Sequence, residues 1–291
     1  MEQHFYTYLE AELCDLLGSS FHIYGKEHIG GGCISRSMKL RTSCGYFFLK
    51  WNQVAASDMF VREAEALKEL RMRAGKDLLI PEVILAADSG EFPGFIIMEF
   101  LKAGTSGEQD KKLGRGLAGL HRPVNSRFGF RNNNYCGTTL QNNSWCDNWT
   151  EFFIRNRLLD IVNRIGSGFL PGEREVFFRL AERLPKLLPG TSGASLIHGD
   201  LWSGNYLFTG KGPALIDPAA YYADREMELS MMMLFGGFSD AAWQAYRHVF
   251  PMEPGWEDRV QLYQLYHLLN HYYLFGGSYG CQALNVAGRY V

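Results

Sequence analysis

Three polar side chains, Asp200, Asn205 and Asp217, stand at a spacing that suits transfer of a phosphoryl group. They lie in the stretch LIHGDLWSGNYLFTGKGPALID, residues 196–217, where two apolar runs flank a polar loop. Phosphoryl transfer asks little covalent help of a protein. It needs a carboxylate to orient the attacking hydroxyl and oxygen ligands for the magnesium on the nucleotide phosphates. Asp200 suits the first task, and Asn205 with Asp217 the second, because magnesium takes few, hard oxygen ligands and leaves room for phosphates. The plain alternative is a polar hairpin with solvated acids and a turn asparagine.

Those residues need elements to hold them, and the first hundred residues supply a second half of the site. Residues 3–17 carry Phe5, Leu9, Leu13, Leu16 and Leu17 at helical spacing and predict a helix ending near Gly18. The next stretch, HIYGKEHIGGGCISRSMKLRTSCGYFFLKWN, reads as three strands with turns at Gly30-Gly31-Gly32 and Ser43-Cys44-Gly45. Three glycines let a backbone pass close over phosphates and aim its N–H groups at them. Lys50 leaves an apolar strand soon afterwards and so resembles the lysine that pairs with the α- and β-phosphates in kinases; a solvated strand-end lysine is the other reading. A helix follows over 57–73 with Ser57 as its cap, and it offers Glu63 or Glu65 as the carboxylate partner of Lys50. Strands at 81–84 and 94–100 complete a five-stranded sheet.

The remainder predicts helices over 109–121, from about 148, over 172–187, from about 227 and over 260–273, with an irregular Asn- and Gly-rich segment after residue 128. His121 reads as structural. A boundary falls near 102–106, giving a nucleotide-binding lobe of residues 1–102 and a catalytic, substrate-binding lobe of residues 103–291.

Several longer strings resemble the fructosamine (ketosamine) kinase family, within the kinase-like small-molecule phosphotransferases. They are HGD-x4-N with the later Asp217, MFVREAEAL, FGFRNNNYCGTTLQNNSW with WTEFFIRNRLL, DPAAYYADRE, and YHLLNHYYLFGGSYG, so the likeness spans nearly the whole chain. Pro218 stands where a protein kinase has the phenylalanine of its DFG, and no long activation loop follows. The resemblance implies an α+β, two-lobed protein-kinase-like fold with a small β-rich N-lobe and a mostly helical C-lobe. It implies ATP and Mg2+ as cofactors, Asp200 as the catalytic carboxylate, and Glu63 as the partner of Lys50. It places adenine against the backbone of Glu99, Phe100 and Leu101. It also implies a sugar substrate attached to an amine by glycation, phosphorylated at its 3-hydroxyl as a deglycation repair step. Composition and spacing by themselves reach only a phosphotransferase. Another small-molecule kinase of the choline or aminoglycoside type, or a nucleotide-binding scaffold without turnover, are the alternatives.

Trp202, two residues past Asp200, reads either as a substrate-side aromatic that packs on sugar C–H groups or a cationic amine, or as a buried structural residue. Asp224 and Glu226 read as caps of the following helix that pair with Arg225. Cys33 follows the glycine triplet, where N–H donors and Lys50 would favour a reactive thiolate. Its oxidation would suppress activity, either as sulfenic acid or through a disulfide, with Cys33 of a second chain in a thiol-linked homodimer or with Cys44.

The 291 residues, 46% hydrophobic and 21% charged, suit one large or two modest globular domains. A formal net charge of -2 gives no electrostatic footprint for nucleic acid. No apolar run approaches a membrane span. The N-terminus lacks the basic-then-apolar order of a secretory signal. The six cysteines show no metal-binding spacing and read as reduced thiols, so a cytoplasmic protein is expected.

Overall fold

A computed structural model of the chain describes residues 2–18, 20–30, 35–53, 58–105, 107–122, 125–188, 190 and 193–291. Helix α1 (Glu2–Leu17) precedes strands β1 (Ile23–His28), β2 (Arg36–Thr42) and β3 (Gly45–Asn52). Helix α2 (Met59–Arg73) and strands β4 (Val83–Ala87) and β5 (Gly94–Glu99) follow. The strands form one antiparallel sheet in the order β1-β2-β3-β5-β4. Side chains alternate across a strand, and here both faces are used. Leu49, Trp51, Phe95 and Ile97 join Phe5, Leu9 and Leu13 of α1 in a small core. The intervening Ile96 and Met98 face the other way, into a large core shared with Phe60, Leu67 and Leu70 of α2. Lys50, between Leu49 and Trp51, therefore points to the α2 side.

Three sequence expectations need correction here. Leu16 and Leu17 are 54% and 39% exposed, because α1 is covered by the sheet only as far as Leu13. The strand expected at 81–84 begins at Val83. Helix α2 begins at Met59 after Asp58, whose side chain makes no cap hydrogen bond; Ser57, the expected cap, lies outside the described residues.

Beyond residue 102 the chain is mainly helical. Helix α3 (Gln109–Leu120) leads to a hairpin of β6 (Asn134–Cys136) and β7 (Thr139–Gln141), where the sequence read only irregular chain. Helix α4 (Trp149–Phe153) is capped by the Asn148 side chain, which accepts from the Glu151 N–H at 3.0 Å. It runs through a π-helical turn, Ile154–Leu159, into α5 (Asp160–Ile165). Helix α6 (Pro171–Leu187) starts with proline at its first turn, a position that needs no donor. Strands β8 (Ser195–Ile197) and β11 (Tyr221–Ala223) pair with each other, and β9 (Tyr206–Thr209) pairs with β10 (Gly212–Leu215). Helices α7 (Glu226–Phe235), α8 (Asp240–Val249), α9 (Trp256–Phe275) and α10 (Tyr279–Gly288) complete the chain. The two apolar runs around the polar loop thus belong to two different two-stranded ribbons. The extended segment before β4 ties to the second of these, Leu79 N–H donating to Pro213 O at 2.9 Å and Leu215 N–H to Leu79 O at 3.0 Å. Among the described residues no helix is long and apolar enough to cross a membrane.

Candidate active site

Lys50 reaches from β3 to Glu63 on α2, with Nζ 3.1 Å from Oε1 and 2.9 Å from Oε2. The same Nζ lies 3.1 Å from Oδ1 of Asp217. Burial works against the ammonium charge, but Asp217 and Glu63 outweigh it and raise the Lys50 pKa. Glu65, the rival carboxylate, lies two residues along the helix and is held by Arg62 and by Asn132 Nδ2 instead.

Asp200 and Asn205 meet directly. Asn205 Nδ2 donates to Asp200 O at 2.7 Å and to its Oδ2 at 3.2 Å. Burial pushes the Asp200 carboxyl up to about 7, against the pull of the Asn205 hydrogen bond. Asn205 spends its amide donors on Asp200, and its Oδ1 has no hydrogen-bond partner among the described residues. Asp217, with 42% of its side chain exposed, adds a carboxylate. Two hard oxygen donors beside a lysine fit magnesium on a polyphosphate. Asp217 adopts the left-handed region, φ 56°, uncommon away from glycine and of the order of 1–3 kcal/mol in cost.

The backbone around Asp200 is fixed from beneath. Glu228, fully buried on α7, accepts the N–H groups of His198 at 2.7 Å and Gly199 at 2.9 Å, and the Nε2–H of His121 at 3.0 Å. Burial opposes a charge on Glu228, yet the His121 contact, with His198 and its backbone N–H, holds the pKa below the ordinary value. His121 is structural, as its sequence position suggests, with Tyr246 OH at 3.0 Å from its Nδ1. His198 donates from Nε2 to Ile216 O at 2.8 Å and accepts the Asp200 N–H at Nδ1, 3.4 Å away. These two contacts fix its tautomer, and burial lowers its pKa. His198 thereby ties the strand leading to Asp200 to the residue before Asp217. Gly199 has φ 84°, and a Cβ there would meet Ala219 O at 2.2 Å, so no side chain fits at that step.

The sequence reading missed Glu228, whose only local sign is an acid inside an apolar helix. It also missed Arg157, which the π-turn carries into the core with its guanidinium 4.0 Å over the Tyr221 ring. It placed Glu226 with Arg225, whereas Glu226 pairs with Arg259 at 2.6 Å across α7 and α9. Arg225 instead stacks 3.5 Å over Phe250 and donates to Phe250 O. Arg225 stands at the N-cap of α7 without a side-chain cap bond, and Asp224, one residue earlier, accepts the Glu226 N–H at 2.9 Å. Trp202 is 41% exposed, which removes the buried alternative. Glu99 closes β5, its N–H donating to Glu82 O at 2.8 Å, and half-buried Phe100 and Leu101 follow it. Gly30 is exposed; Gly31, Gly32 and Cys33 lie outside the described residues. The other five cysteines are free thiols.

An antiparallel sheet carrying a lysine–glutamate pair, placed over a helical body that presents Asp200, Asn205 and Asp217, defines the class of kinase-like small-molecule phosphotransferases. Solved structures agree on the fold. A Thermobifida fusca protein provisionally identified as a fructosamine-3-kinase superposes with a TM-score of 0.85 at 28% identity, over 96% of this chain and 97% of that one. The aminoglycoside phosphotransferase APH(4)-Ia, in complex with AMP-PNP and hygromycin B, gives 0.62 at 15% identity over 96% of this chain and 98% of that one, a likeness of fold alone. Residues 6–291 match the fructosamine kinase family, and the chain belongs to it. Similar curated proteins include a probable ketoamine kinase of Enterococcus faecium, 36% identical over 87% of this chain and 90% of its own. A chloroplastic protein-ribulosamine 3-kinase of rice is 36% identical over 94% of this chain and 81% of its own.

Proposed function

We propose that this protein is an ATP-dependent kinase that phosphorylates the 3-hydroxyl of ketosamines, sugars joined to amines by glycation. The observation that carries the reading is the convergence of Lys50, Glu63 and Asp217 with the Asp200–Asn205 pair, in a chain that matches the fructosamine kinase family from residue 6 to 291. That match, and relatives named for ketoamines and ribulosamines, favour a ketosamine over choline or an aminoglycoside as acceptor.

In this reading ATP, as its magnesium complex, supplies the phosphoryl group and the counter-charge for transfer. Lys50, held by Glu63, takes the α- and β-phosphates, and Asn205 Oδ1 with Asp217 holds the metal. Gly30, Gly31 and Gly32 cover the phosphates, and the backbone of Glu99, Phe100 and Leu101 receives the adenine. Residues 1–102 act as the nucleotide lobe and 103–291 as the catalytic and substrate lobe. Asp200 accepts a hydrogen bond from the sugar hydroxyl, aligns its oxygen, and takes the proton late in transfer. Its burial suits this task, since a carboxylate shielded from water is the better proton acceptor near neutral pH. Trp202 offers an exposed indole two residues from Asp200 for the sugar or amine. We place the enzyme in the cytoplasm, with Cys33 as a thiol whose oxidation or pairing with a second chain suppresses turnover.

The test is ATP consumption with the fructosamine, ribulosamine and erythrulosamine of lysine, free and protein-bound, against choline and aminoglycosides. Turnover confined to the last two acceptors would remove the ketosamine reading, and no turnover with any acceptor would favour a binding scaffold. Trp202→Ala is expected to raise KM for the ketosamine more than KM for ATP; equal changes, or a collapsed melting transition, would count against a substrate role.

A further inference from the structure

We propose that Cys136, Asp200 and His267 form a site for a thiophilic divalent cation of the zinc type, and that its occupation switches phosphoryl transfer off. The three residues come from β6, the loop after β8 and α9. A thiol sulfur, a carboxylate oxygen and a ring nitrogen from them all lie within 4.8 Å of one another. Bonds of about 2.0–2.3 Å to such donors put them roughly 3.5 Å apart around one ion, so small side-chain rotations would close the shell and leave a fourth position for water.

The donor set decides which metal. Sulfur, nitrogen and oxygen together suit zinc, whereas magnesium takes oxygen and keeps its waters. The site thus differs in chemistry from the oxygen pair of Asn205 and Asp217. Cys136 is 2% exposed and His267 1% exposed, so both are shielded donors, while half-buried Asp200 forms the side open to the cleft. His267 is in the form a metal requires, because burial holds the imidazole neutral down to about 3. Its Nδ1 is buried without a hydrogen-bond partner among the described residues, an unmet cost that the other side chains of the cluster do not show. Asn270 Nδ2, at 3.3 Å from Cys136 Sγ, already steadies the sulfur. Burial and the Asp200 carboxylate hold the Cys136 thiol well above its ordinary pKa, against a smaller pull from Arg157, so the sulfur ligates only when the cation displaces its proton. Thiolate and carboxylate together offset the two charges of the ion.

Binding involves no redox change. The cation exchanges waters for sulfur, nitrogen and oxygen, and the thiol proton passes to buffer. The carboxylate of Asp200 is then committed to the metal and cannot accept a hydroxyl proton. This loss of turnover rests on the role given to Asp200 above; occupation of the site does not.

The experiment uses the full chain, freed of metal by a chelator, in two arms. Cobalt(II) titration should give a near-ultraviolet thiolate-to-cobalt band at one ion per chain. That band should disappear in Cys136→Ser, and the affinity should fall by about tenfold or more in His267→Gln. Zinc should inhibit ketosamine turnover at saturating Mg·ATP and be reversed by chelator. The inhibiting concentration should rise by about tenfold or more in each variant, measured against its own zinc-free rate. Circular dichroism melts check that both variants fold. A cobalt band unchanged in folded Cys136→Ser overturns the site. A band lost in Cys136→Ser, with wild-type turnover indifferent to zinc, overturns the switch. If no acceptor turns over even without zinc, the proposed function fails, and the cobalt arm still decides the site.

Discussion

At the scale of single residues, the site divides into side chains that meet the reactants and side chains that hold them in place. Asp200 belongs to the first group. Asp200→Asn keeps the size and the Asn205 neighbour but removes the proton acceptor, so kcat should fall by about 10²–10⁴ while nucleotide binding survives. Single-turnover rates and ATP titration by calorimetry check this, and a variant that keeps most of its rate would remove Asp200 from the chemistry. Glu228 belongs to the second group. It collects two backbone donors and one imidazole, and an amide in its place must turn an N–H toward at least one of them. Glu228→Gln should cost about 1.5–3 kcal/mol in urea unfolding and lower kcat with it, because the Asp200 loop loses its anchor. Unchanged stability would show that the carboxylate is dispensable there.

Among elements, the contact between α3 and α8 depends on a missing side chain. A Cβ on Gly114 would lie 2.0 Å from Ala242 O and 2.9 Å from Tyr246 N, so the backbones themselves would have to part. Gly114→Ala should destabilise the protein by at least about 1–3 kcal/mol despite the better helix propensity of alanine. Gly119, exposed on the same helix, meets nothing within 4 Å. Gly119→Ala should therefore stabilise by about 0.5–1 kcal/mol. The pair is read by thermal unfolding; equal effects would mean that the two helices are not held at backbone contact. The same geometry explains why α3 carries a glycine at 114, where helical propensity alone argues against one.

For the whole molecule, the buried histidine of α9 couples folding to pH. His267 has an ordinary value of 6.5 and is lowered to about 3 by burial, with His271 and Arg157 adding to the effect. Below 6.5 the unfolded chain binds a proton there that the folded chain refuses. The unfolded state thus gains stability as pH falls, and the fold loses up to ~1.4 kcal/mol per pH unit through this one group. The loss begins near 6.5 and stops near 3, where the folded form also protonates. His267→Gln should flatten the pH dependence of urea unfolding between 6.5 and 4 relative to wild type. Parallel curves for the two proteins would show that His267 does not carry the linkage.

Much of this could be read locally. Alternating strands gave the sheet and put Lys50 opposite Leu49 and Trp51; the helical period of Phe5, Leu9 and Leu13 gave α1. The order HGD, Asn205, Asp217 pointed to the transfer chemistry; Asp200 and Asn205 share one loop, and the β9–β10 ribbon folds back to bring Asp217 beside it, Ile216 N–H donating to Asn205 O at 3.0 Å. Other facts have no local signature. Glu63 and Glu65 are equal by spacing, and only the family resemblance of MFVREAEAL favoured Glu63; the packing of α2 on the sheet turns it toward Lys50 and leaves Glu65 to Arg62 and Asn132. Trp202 is 41% exposed although Leu201 beside it is fully buried in the large core, a difference that the local sequence does not reveal. Glu228, Arg157, and the meeting of Cys136 with Asp200 and His267 join positions far apart in the chain. Periodicity reports which face of an element is buried. Which distant side chain it meets there is decided by tertiary packing, where a buried charge or polar group persists only if the fold supplies its partner.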